Sequence, residues 1–213
     1  MRRSDEAGTA RREEILRRAT ELFLNEGFAG TSMSALAQAC GLQKASLYHH
    51  VPSKEALFIA CVTEGYNREL AALRAIRDDA ALTDDDRLRH AMAELYRITV
   101  DSPVGRMSPL IAEVSLRFPE AARAFHDGFI SQEHGIVGAI IARGLANGSF
   151  APHDHLGIEH LIFGPVVTLA LSRRMFASHP ALEETYPVAR VRDSHTAMVL
   201  QLLRAGTAMP DGG

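Results

Sequence analysis

Between Gln43 and His50 the chain carries Gln43, Lys44, Ala45, Ser46, Tyr48, His49 and His50, side chains suited to base edges and phosphate oxygens. Lys44 is a flexible cation that can reach guanine O6 and N7 or a phosphate, Gln43 both donates and accepts hydrogen bonds, and Ala45 offers a methyl to thymine. Ser46, Tyr48, His49 and His50 supply polar tips and Thr31 adds a hydroxyl, all fit for phosphate oxygens. Lys54 is a second cation at the expected start of a helix, where positive charge is intrinsically unfavourable; a phosphate partner would account for it. This is the chemistry of recognition, not of bond breaking. The sequence holds no HExxH, GxSxG, Walker loop or glycine-rich nucleotide fingerprint, so no catalytic residue is assigned and no enzyme is expected.

Charge supports the same reading through its distribution. The 213 residues carry a net charge of −3, which alone would argue against a polyanionic partner. Residues 1–54, however, hold eight Lys or Arg and six Asp or Glu, and both lysines of the chain, Lys44 and Lys54, fall there. From Ala29 to Lys54 there is no acidic residue. A local basic surface thus sits on an acidic body.

Helical elements must position these residues. Ile15, Ala19, Leu22 and Phe23 recur at helical spacing and predict an amphipathic helix over Arg11 to Glu26, ended by Gly27. A short helix from about Met33 to Cys40 can be capped by Thr31 or Ser32, and Gly41 breaks it. A third, about Gln43 to His49, turns Leu47 inward and stops at Val51-Pro52. From Ser53 the apolar pattern runs to about Arg77 as one long connector. Further helices follow over Leu88 to Val100, Arg106 to Leu116, the segment past Pro119 to Ala146, His155 to Phe176 and Pro187 to Arg204, with a frayed tail at Met209 to Gly213. No stretch has the period-two alternation of a strand. The expected fold is all-α with about nine helices: a helix-turn-helix domain over residues 1–54 and a larger helical bundle over 55–213.

The segment from Gly27 to Phe58, GFAGTSMSALAQACGLQKASLYHHVPSKEALF, resembles the N-terminal domain of the TetR family of transcriptional regulators (TetR/AcrR type). Gly27-Phe28, Thr31, Leu36-Ala37, Gly41, Leu47-Tyr48, His50 and Lys54 fit that family's pattern. Val51 stands where most members have Phe, and Ala45 where many have Gly. The resemblance implies a regulator, by the family's habit a repressor, that binds a palindromic double-stranded DNA operator as a homodimer and is released by a small-molecule effector. Its third helix would enter the major groove. The stretch EVSLRFPEAARAFHDGF, Glu113 to Phe129, is similar to one variety of the family's C-terminal halves, which implies an effector pocket and a four-helix dimer seam.

For the seam, Leu161, Ile162, Val166, Leu169 and Leu171 on one helix and Val199, Leu202 and Leu203 on another offer apolar faces. For the pocket, the large apolar or amphipathic residues Tyr66, Met92, Tyr96, Met107, Leu110, Phe125, Phe129 and Phe163 are the candidates, which points to a hydrophobic effector. His153, Asp154, His155 and His160 are of types that suit zinc, but Asp154 is as well placed to cap a helix, so no metal and no cofactor is assigned. Cys40 and Cys61 lie within helical patterns and read as buried, reduced thiols. No run of about 18 uncharged apolar residues is found, and the N-terminus lacks the apolar core of a signal peptide. The expected location is therefore the cytoplasm, without a membrane partner.

Overall fold

Two glycines with positive φ set the outline of the N-terminal helices. At Gly27 (φ 70°, ψ 169°) and Gly41 (φ 63°) the backbone enters a region that side chains with a Cβ avoid, so the opening helix bends at Gly27 and no helix continues through Gly41. The computed structural model describes residues 2–103 and 105–205; the tail expected to fray, Met209 to Gly213, lies outside them. The first helix, α1 (Arg2–Gly30), bends at Gly27. It starts nine residues before the expected Arg11, because its opening turns are polar and carry no apolar period to reveal them.

α2 (Met33–Ala39) is capped by Ser32, whose Oγ accepts from the Ala35 N–H at 3.1 Å. The Gly41 and Leu42 N–H groups close its C-terminus on Gln38 O and Ala37 O, as a left-handed glycine permits. α3 (Lys44–His50) follows after four residues and ends at Val51. α4 (Lys54–Thr63) is capped by Ser53. A 3-10 turn, Glu64–Tyr66, joins α4 to α5 (Asn67–Asp78), so the expected connector exists as one helical run tightened in its middle.

The remaining helices are α6 (Asp84–Tyr96), α7 (Ser108–Val114), α8 (Pro119–Phe125), α9 (Ser131–Ala146), α10 (His155–Met175), α11 (Leu182–Thr185) and α12 (Val188–Ala205). Wider π turns extend α6 over Arg97–Asp101 and link α8 to α9 over His126–Ile130. With joined runs counted once, the described residues hold nine helices and the single turn α11, and no strand.

The chain forms two compact units. The first comprises Met1–Arg68 and Pro103–Ser131, the second Glu69–Ser102 and Gln132–Gly213. In the first, α1, α4, α7 and α8 pack around Phe23, Leu36, Leu47, Leu57, Phe58 and Met107. Phe28 meets Phe58 edge-on at 5.0 Å between centroids and stacks near Phe118 at 6.2 Å, which fastens the α7–α8 segment to the bend of α1.

In the second unit α6, α10 and α12 pack together. The fully buried Arg87 caps α5 by donating to Ile76 O, Arg77 O and Leu82 O. Asp84 accepts from Asn147 and Ser149, which draws the carboxyl below its usual range. α10 is long and apolar enough on average to cross a membrane, with 28% of that span buried.

Candidate nucleic-acid interface

Leu47 is wholly buried and anchors α3 by one side. That orientation turns Gln43, Lys44, Ala45, Tyr48, His49 and His50 outward, with Ser46 half-buried beside them. Gln43 is the N-cap residue of α3, yet its side chain makes no capping hydrogen bond, so the amide stays available.

The basic residues around α3 divide by what they hold. Arg11 donates to Cys40 O at 3.0 Å and so closes α2. Arg12 grips both carboxylate oxygens of Glu64 at 2.6 Å and reaches His50 O at 3.5 Å. One guanidinium therefore ties the C-terminal end of α3 to the 3-10 turn after α4. Arg17 and Arg18 bracket Glu14, and their hydrogen bonds draw its carboxyl down to about 2. Among the described side chains of residues 1–54, Lys44 is the one lysine or arginine without a carboxylate or carbonyl partner.

Two residues expected at the phosphates have other partners. Thr31 is only 2% exposed, and its hydroxyl donates to Gly27 O at 2.7 Å. Lys54 donates from Nζ to Phe28 O at 2.8 Å and Thr31 O at 2.9 Å, with the ammonium 4.4 Å from the centre of the Phe28 ring. Phe28 O lies in the last turn of α1, where carbonyls run out of partners along the helix, and Thr31 O lies just beyond its end; one cation satisfies both. These bonds account for the position of Lys54 without a phosphate: it and Thr31 fix the turn on which α2 and α3 are mounted.

Cys40 and Cys61 are buried, with their sulfurs near Ile15 O and Leu16 O. Burial pushes both thiols up, Cys61 to about 12. Neither has the lowered pKa of a reactive cysteine.

The eight residues expected around an effector are divided between the two units. Tyr66, Met107, Leu110, Phe125 and Phe129 belong to the first unit, and Met92, Tyr96 and Phe163 to the second. Tyr66 stacks on Phe129 at 3.8 Å, while Met92 and Met107 are wholly buried. The second unit has an open cleft of about 420 Å³ lined by His90, Tyr96, Arg97 and Arg192 among others, and another of about 440 Å³ beside Pro165, His195 and Met198. Of the eight, Tyr96 alone lines either cleft.

The histidine-rich segment is dispersed among local partners. Asp154 caps α10 by accepting from the Gly157 N–H, His155 meets Glu159 at 3.3 Å and His160 bonds Leu156 O. Among the described residues no three His, Cys, Asp or Glu side chains gather as a metal site would need.

Comparison with known proteins agrees with this geometry. The pattern defining bacterial regulatory proteins of the tetR family matches residues 15–61, which contain α2, α3 and their mounting. The HTH-type transcriptional regulator RutR of Escherichia coli (strain K12) is 30% identical over 171 residues, covering 74% of this chain and 71% of RutR. Among solved structures, reduced NemR of E. coli has a TM-score of 0.72 at 18% identity, with 94% of this chain and 99% of that one covered. FadR of Bacillus subtilis in complex with stearoyl-CoA gives 0.66 at 17% identity, with 92% and 98% covered. With a helix-turn-helix that shows its polar face to solvent and a relative similar over most of its length, this chain belongs to the tetR family of bacterial transcriptional regulators, which act by binding DNA.

Proposed function

We propose that the protein is a cytoplasmic, ligand-responsive repressor that binds a palindromic operator as a homodimer and releases it when a hydrophobic small molecule binds. The observation that carries this reading is the outward face of α3. Gln43, Lys44, Ala45, Ser46, Tyr48, His49 and His50 project from a helix fixed by Leu47, with no acidic residue between Ala29 and Lys54. Lys44 reads a base, with Gln43 and Ala45 beside it, and the others hold phosphates.

On this reading residues 1–54 bind DNA, and 55–213 receive the effector and pair the subunits. The FadR structure holds stearoyl-CoA, which supports a ligand with a large apolar part. For pairing, α10 exposes Leu156, Leu161, Val167, Leu171 and Met175, and α12 exposes Met198 and Leu202. A second copy would cover such a face and form the seam of a four-helix bundle.

Selection of genomic fragments by the purified protein tests the proposal. Recovered sites should be palindromic, with half-sites about 34 Å apart, and binding should weaken steeply with salt. A saturating effector should raise the melting temperature and release DNA together. A compound that stabilises the protein but leaves operator affinity unchanged would refute the coupling.

A further inference from the structure

The buried residues of α9, namely Glu133, Ile136, Val137, Ile140, Ile141 and Gly144, recur at the spacing of one helix face. A carboxyl thus stands where the pattern otherwise places aliphatic or small residues. Glu133 is 4% exposed, and its buried Oε1 has no hydrogen-bond partner. Native proteins rarely leave such a group unpaired. Burial alone pushes this carboxyl up to about 8, so at neutral pH it is mostly the acid, with an O–H to give and a carbonyl oxygen to fill.

The other buried carboxylate with an unpartnered oxygen, Glu69, differs because the charge of Arg97 faces it. Among the described residues burial is the one cause acting on Glu133. The next residue, His134, lies flat on Phe163 of α10, with centroids 3.8 Å apart and planes at 6°. That stack fastens the start of α9 beside one of the residues expected to line an effector pocket.

We propose that Glu133 is the hydrogen-bonding anchor of an effector site in the second unit, and that its ligand is an apolar molecule ending in an amide or lactam. The adjacent carbonyl and N–H of such a ligand match the O–H and C=O of the acid. This inference rests on the reading of the chain as a ligand-responsive regulator. Charged alternatives fit less well. A carboxylate would enter an interior without a counter-charge, and an ammonium could pair only with an ionised Glu133, at the cost of desolvating both charges. A carboxylic acid would first have to take up a proton, at a cost of two to three powers of ten in affinity at neutral pH, given a pKa of about 4.3. An amide meets neither obstacle.

The test uses the full chain, Glu133→Leu and Glu133→Gln, and three matched probes: octanamide, octylammonium and octanoate. Without any probe, Glu133→Leu should melt several degrees above the wild type, because a lone buried polar group has been removed. Octanamide should stabilise the wild type and Glu133→Gln, whose side chain keeps a donor and an acceptor, but not Glu133→Leu. The proposal is overturned if Glu133→Leu melts below the wild type, if octylammonium stabilises the wild type and not Glu133→Gln, or if no probe stabilises the wild type. Salt-dependent DNA binding, measured on the same samples, separates the two levels. Its absence removes the regulator reading, whereas its presence beside an overturning result removes the anchor alone.

Discussion

Lys44 and Lys54 are the only lysines of the chain, and their surroundings differ. Lys44 opens α3 in an exposed position, with Gln43 and Ala45 on either side. Lys44→Ala should weaken specific operator binding by about 1–3 kcal/mol and relax the preference at one base position. Binding competition against sites mutated base by base would check this, and an unchanged preference profile would dismiss Lys44 as a base reader. Lys54 instead satisfies Phe28 O and Thr31 O. Removing a charged donor from partly buried carbonyls costs about 1–3 kcal/mol, so Lys54→Ala should lower the melting temperature. The salt dependence of DNA binding should keep its slope, since no phosphate contact is lost. If the slope falls by about one unit while the melting temperature holds, Lys54 is a phosphate contact after all.

Between elements, short polar links set the geometry, and one of them carries a pH dependence. His195 on α12 donates from Nε2 to Leu161 O on α10 at 2.7 Å, which leaves Nδ1 to accept from the Tyr96 hydroxyl of α6 at 2.9 Å. Burial holds this imidazole below its ordinary pKa and pushes the Tyr96 phenol up to about 12. The unfolded chain therefore binds more protons than the native one between the depressed folded value and about 6.5. The stability from this tie is fully present above that window and declines as pH falls through it. The melting temperature of the wild type should drop over this range relative to His195→Gln, and parallel curves would show that the ring does not titrate there. Such links mark what could be read in sequence. Apolar spacing, Ser and Asp caps and the glycines at 27 and 41 were enough to place α2, α3, α4, α10 and α12, because each depends on neighbours within a few residues. The polar start of α1 left no period to find. The attachments of Lys54 to the last turn of α1, of Arg12 to Glu64 and of Phe118 to Phe28 join residues remote in sequence, and no spacing announces them. Glu133 did leave a signal, a carboxyl interrupting the Ile136, Val137, Ile140 face, and it could have been found by asking which charge breaks an apolar period.

At the scale of the whole molecule, a seven-residue recognition helix covers too little of the major groove for specificity alone, so the proposed function depends on two copies acting at once. On that proposal the apolar residues left exposed on α10 and α12 would supply the surface for pairing. Val167 is 53% and Leu171 47% exposed, so a charge at either site disturbs little in the monomer while opposing burial against a second copy. The double variant Val167→Glu with Leu171→Glu should run as a monomer by size-exclusion chromatography with light scattering, and its helical signal should be unchanged. Linking two half-site contacts raises overall affinity by about 10²–10⁴ over either alone. The monomer should therefore lose about a hundredfold or more on the intact palindrome. On a fragment with one half-site the wild type and the variant should bind alike, since α3 and its mounting are untouched. A variant that stays dimeric would place the subunit contact elsewhere on the chain. A monomer that still held the palindrome as tightly as the wild type would show that a single copy suffices, and the proposal of paired recognition would fall.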